Sequence, residues 1–82
     1  MRIELIQWED SIGSPAGWEI WDPKEPEPAI IISVGRVVRE SDQSIVVCPT
    51  GYYDKNGDLH GMGMLTIPKR AIVSREVIHE RE

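Results

Sequence analysis

The sequence predicts an all-β fold, a small curled barrel of five strands, and three observations carry that expectation. β-Branched residues dominate an apolar fraction of 40% that contains no Phe, which suits a pleated, half-buried surface better than a helix. The run Ile30-Ile31-Ile32, followed by Val34, Val37 and Val38, is a strong strand signal. Asn56-Gly57, inside Asp54-Lys55-Asn56-Gly57-Asp58, supplies residues that tolerate the positive φ of a tight hairpin turn.

The elements follow in order. Arg2 to Trp8 reads as a strand: Ile3 and Leu5 point one way and Glu4 the other, with Ile6 and Trp8 joining the Glu4 side. Both faces are therefore partly apolar, as in a strand covered on each side. From Glu9 to Pro28, Gly and Pro punctuate the chain, and Pro23, Pro26 and Pro28 impose an extended, polyproline-like path. Ser14-Pro15 is a competent start for a single helical turn reaching Trp18. Ala29 to Glu40 is the long second strand, with Gly35 marking a bend or bulge. Ser44 to Asp54 is the third, irregular at Pro49 and Gly51, and Leu59 to Ile67 the fourth. Pro68-Lys69-Arg70 makes a tight turn into a short fifth strand, Ala71 to Ile78. Five strands in this order fit an SH3-like or Sm-like barrel with a long Pro/Trp-rich loop after the first strand. Residues 1–82 form one such domain.

Size and charge narrow the function classes. A single core of this size supplies only about 3–5 kcal/mol of stability, and residues spent on a deep cleft would be lost to that core. The net charge of −5 counts against nucleic acid as the partner, because phosphate neutralisation needs Lys and Arg. Arg36 with Arg39, and Lys69 with Arg70, are the only local basic candidates. The N-terminus lacks a signal-peptide core and no apolar run approaches a membrane span. With a single Cys, a reducing, cytoplasmic setting without membrane attachment is expected.

No residue constellation predicts catalysis, a cofactor or a metal. Cys48 lies in the apolar run from Ile45 and reads as a small buried thiol. Asp54, Asn56 and Asp58 alternate like the first ligands of a calcium loop, but the glycine falls at Gly57 and Leu65 stands where the bidentate Glu belongs. His60 and His79 have no ligand-spaced partners. The acidic stretch from Glu19 to Glu27 reads as a solvated loop.

The tryptophans are the informative residues. Trp8, Trp18 and Trp21 either cover an open end of the barrel or present a patch to a partner. In the second case Trp18 and Trp21, edged by Asp22, Glu25 and Glu27, are the predicted partner-binding residues, with an acidic rim that steers a basic protein.

Three segments carry a resemblance. Trp8-Glu9-Asp10-Ser11 with Gly17-Trp18 is one. Ser33 to Glu40 running into Asp42 and Ile45-Val46-Val47 is the second, and Leu65 to Ile72 the third. Their order and spacing resemble small uncharacterised proteins of tailed bacteriophages and prophages, although the stretch Trp21 to Pro28 is more acidic and proline-dense than that pattern. The resemblance implies phage origin and a bacterial host cytoplasm, and brings no catalytic residues. The expected function is a non-enzymatic accessory protein that acts by protein–protein contact with a host or phage protein, or with further copies of itself through exposed strand edges. A nucleic-acid-binding small β-barrel is the alternative.

Overall fold

The computed structural model describes residues 2–11, 18 and 28–80. The described residues are all-β apart from one 3-10 turn. The strands are β1 (Arg2–Asp10), β2 (Ala29–Glu40), β3 (Ser44–Cys48), β4 (Thr50–Tyr53), β5 (Leu59–Met62), β6 (Leu65–Pro68) and β7 (Ile72–Glu80). The 3-10 turn, Lys69–Ala71, joins β6 to β7. No helix among the described residues is long and apolar enough to cross a membrane.

Five strands form one antiparallel sheet in the order β6-β3-β2-β1-β7, and β4 and β5 form a separate two-stranded sheet. The expected five strands become seven because two of them break. Pro49, which has no N–H to donate to a ladder, separates β3 from β4. Gly63, at φ +72°, separates β5 from β6, since a left-handed residue cannot continue a strand.

The expected closed barrel is not formed. Among the described residues β6 pairs only with β3, and β7 only with β1. The 3-10 turn redirects the chain, so the two strands it joins do not make a hairpin.

The sheet nevertheless curls. Ile6 of β1 shares one buried cluster with Ile45 and Val47 of β3 and Ile67 of β6, although β2 lies between β1 and β3 in the sheet. Trp8, Val37 and Ile72 pack against this cluster half-buried. Two features of β2 allow the bend. A Cβ on Gly35 would stand 2.8 Å from the Cys48 carbonyl oxygen and from Val47 Cγ1, so only glycine fits this approach of β2 to β3. The bulge expected at Gly35 lies three residues later, where the register with β3 shifts between Val37 and Arg39.

Alternation then assigns the faces. Directly paired residues share a face, and β1 turns Glu4, Ile6 and Trp8 toward the core while Ile3, Leu5 and Gln7 face outward. On β2 the partners of the outward set are Arg36, Val34 and Ile32. The Trp8 indole N–H donates to Ser33 Oγ at 3.0 Å, which satisfies the one polar atom of that ring.

The turns are held by short side chains. Ser41 Oγ accepts from the backbone N–H groups of Gln43 and Ser44, and the N–H of Lys69 donates to the Gln43 carbonyl at 2.8 Å, fastening the 3-10 turn to the β2–β3 turn.

Candidate functional site

The sequence-predicted patch is represented by one residue. Trp18 is fully exposed, while Trp21, Asp22, Glu25 and Glu27, and the helical turn expected near Ser14, lie outside the described residues. Trp8, by contrast, covers the core.

What the fold does bring together is a groove between the outer side of β1–β2 and the β4–β5 hairpin. Its volume is about 300 Å³, and Ile3, Val34, Arg36, Pro49, Tyr53 and Leu59 line it. Each wall has a local cause. Hairpin pairing of Tyr53 with Leu59, and of Gly51 with Gly61, places a Tyr and a Leu beside two residues without side chains. Buried Cys48 also lines the groove, its thiol donating to the Thr50 carbonyl at 3.3 Å. The Arg36 guanidinium carbon sits 5.2 Å from the Tyr53 ring centroid, a cation–π contact that fixes both at the rim. The lining holds that single cation and no carboxylate.

The opposite face of the hairpin carries Tyr52 and His60, directly paired. Their rings stack with centroids 4.9 Å apart and 7° between planes. Asp54 organises this end. Its Oδ1 accepts from the N–H groups of Asn56 and Asp58, and its Oδ2 meets His60 Nε2 at 2.8 Å. These contacts hold the Asp54 carboxyl below its ordinary pKa, the His60 hydrogen bond contributing most. The residues that alternate like calcium ligands are therefore a hairpin whose first carboxylate is spent on its own turn. Exposed Met62 lies beside Tyr52 and His60 in a shallow depression of about 240 Å³.

A third cluster is ionic. Glu4, pointing inward and only 2% exposed, meets Arg75 of β7 through two hydrogen bonds, and Arg2 Nη2 lies 3.2 Å from its Oε2. Arg75 also reaches Glu40 at the end of β2, and Glu40 meets Lys69 Nζ at 2.8 Å. Arg75 hydrogen bonding, aided by its charge, lowers the Glu4 pKa against the opposing effect of burial. Arg75 and then Lys69 hold Glu40 down to about 2. No buried side-chain polar atom among the described residues is left without a partner. This cluster is a structural clasp, since every charge in it is answered from within.

Another depression, about 590 Å³, lies beside Asp42, Gln43, Thr66, Lys69 and Arg70. Its lysine is already paired with Glu40. Of the four basic residues that could have made a phosphate-binding strip, Arg36 is engaged by Tyr53 and Lys69 by Glu40.

The tyrosine groove escapes sequence reasoning that weighs tryptophans alone. Its signal is the pair Tyr52-Tyr53 next to Gly51, opposite His60-Gly61 across a recognisable Asn-Gly turn. No protein-family model, curated protein or solved structure matches the chain.

Proposed function

We propose that the chain is a non-catalytic interaction module of phage or prophage origin, working in the bacterial cytoplasm by protein–protein contact through the groove between β2 and the tyrosine hairpin. The observation that carries this reading is the concentration of exposed apolar and aromatic surface there. Val34 and Tyr53, which line the groove, are exposed, as is Ile32 on the same side of β2, and exposed apolar surface grouped on a small chain marks a contact site. Tyrosine and arginine are the residue types that dominate binding hot spots, and the groove has one of each in contact.

The frame supports it too. A five-stranded sheet in which β7 pairs with β1 after a 3-10 turn supports reading the frame as SH3-like. The resemblance to that frame concerns the fold and does not by itself assign a ligand.

Site-specific photocrosslinking in bacterial cells tests the reading. A crosslinking side chain at Tyr53 or Val34 captures a discrete protein, whereas one at Ser74 or Glu76 of β7 does not. Equal capture from all four positions, or none from Tyr53 and Val34, overturns it.

A further inference from the structure

The groove between β2 and the β4–β5 hairpin selects by charge. Ile3, Val34, Pro49, Tyr53 and Leu59 form its apolar walls, and the one charged side chain among its lining residues is Arg36. Among the described residues Arg36 meets no carboxylate, since the ion pairs there use Arg2, His60, Lys69 and Arg75. Its guanidinium carbon is held over the Tyr53 ring, 5.2 Å from the centroid. That contact spends none of the guanidinium N–H donors, and their fork matches the two oxygens of a carboxylate. We propose that the groove captures the C-terminal residue of a partner protein, an apolar one, with its carboxylate on Arg36 and its side chain against Val34, Pro49 and Leu59. This rests on the reading of the groove as a contact site and names the part of the partner it holds.

Size and charge together choose this occupant. At about 300 Å³ the groove lies at the lower end of the ~300–1,000 Å³ range of ligand sites, with room for a side chain and its carboxylate but not for a long segment. The charge and the apolar contact must then come from the same residue. An apolar residue at the end of a chain carries both on one Cα, and capture of such a terminal carboxylate is a recurring mode of recognition. An internal Asp or Glu instead puts its carboxylate at the tip of the side chain and leaves the apolar wall to its neighbours. The net charge of −5 argues against a polyanion. An acidic run or a phosphate backbone would bring several charges to a single cation and meet repulsion from the rest of the chain, whereas one carboxylate is answered by one guanidinium. The wall is also open to an incoming residue, with Val34 and Tyr53 44% and 52% exposed.

Peptide titration followed by methyl-resolved NMR on the full chain tests this. The probes are N-acetyl-Ala-Ala-Leu with a free C-terminus, the same peptide as its C-terminal amide, and N-acetyl-Ala-Glu-Leu amide. With the free acid at millimolar concentration, the methyl resonances of Ile3, Val34 and Leu59 shift while those of core Ile45 and Ile67 stay in place. The amide binds about tenfold more weakly or worse, the loss expected when a charged hydrogen-bond partner is removed. Arg36→Gln abolishes that preference, and Arg36→Lys, which keeps the charge without the fork, restores part of it. The titrations of the unaltered chain decide the matter even if a substitution at Arg36 disturbs the fold. No shift with the free acid, or equal binding of acid and amide, overturns the proposal. The glutamate peptide binding as tightly as the free acid overturns it in favour of an internal acidic residue. Groove methyls that move on dilution without peptide overturn it in favour of a second copy as the occupant. Crosslinking from Tyr53 separates this from the functional reading. Capture without any response to the free acid sinks the C-terminal residue alone, and a response without capture sinks the partner in cells alone.

Discussion

Glu4 and Arg75, 71 residues apart, form a two-pronged ion pair on the core face of the sheet, with Nε to Oε1 at 2.9 Å and Nη2 to Oε2 at 3.0 Å. A carboxylate this buried is tolerated because the fork of one guanidinium matches both its oxygens.

Removing one partner strands the other. Arg75→Met leaves Glu4 buried with only Arg2 nearby and is expected to cost about 3–5 kcal/mol, most of what a domain of this size possesses. Replacing both, as Glu4→Leu with Arg75→Met, removes the uncompensated charge and recovers much of the loss. Urea denaturation of the two variants makes the comparison. A double variant less stable than Arg75→Met alone would contradict this account.

Acid weakens the same clasp. Glu4 and Glu40 both have folded-state pKa values below their usual 4.5, Glu40 at about 2. A depressed carboxylate contributes stability that is fully present above its unfolded pKa and is lost as pH falls through the folded value. The unfolding midpoint in urea should therefore hold steady from neutrality to about pH 5 and fall between about pH 4.5 and pH 2. Glu40→Gln flattens part of that fall. The part it removes shrinks in high salt, because Glu40 is exposed and screened.

Two glycines separate steric from conformational demands. Gly35→Ala drives a methyl into the Cys48 carbonyl, a backbone atom that cannot swing aside, and is expected to cost about 1–3 kcal/mol. At Gly63 the nearest atom to a new Cβ is Pro49 Cγ at 3.6 Å, ordinary contact, but φ is +72°. Gly63→Ala should cost about 1–2 kcal/mol from the left-handed backbone alone. Gly63→Asn, which visits that region more readily, recovers part of it, and Gly35→Asn recovers nothing. Thermal unfolding of the four variants distinguishes the two mechanisms.

The hairpin should loosen independently of the sheet. Asp54→Ala removes the acceptor for the Asn56 and Asp58 N–H groups and the partner of His60. Losing about 1 kcal/mol locally speeds amide exchange in β4 and β5 roughly fivefold. Exchange at Ile6 and Ile45 should stay unchanged, and the Tyr52–His60 stacking shifts should move toward random-coil positions.

Most strands were legible because their signals are local: β-branched runs, an Asn-Gly turn, Pro49 as an interruption. The curl at Gly35 was legible as a bend, since a glycine in a long strand has few other uses. The failure of the barrel to close was not, because it depends on whether two strands joined by a 3-10 turn pair with each other. Glu4 shows the limit most clearly. Its side of β1 also carries Ile6 and Trp8, a pattern that looks blurred until Arg75 is placed beside it. No local rule connects positions 4 and 75. The tyrosine groove was hidden for a related reason: Arg36 and Tyr53 are ordinary strand residues until the curl of β2 and the hairpin put them in contact.

The pairing of β1 with β7 also sets a timetable for folding. β1 needs β7 to complete its ladder, and Glu4 waits for Arg75 to be synthesised. Until then the curled sheet lacks one flank and holds a charge facing its core. Contacts this distant in sequence slow the search for the native state, into the millisecond-to-second range typical of small domains built on non-local strand pairing. Residues 72–80 therefore decide when the sheet is completed.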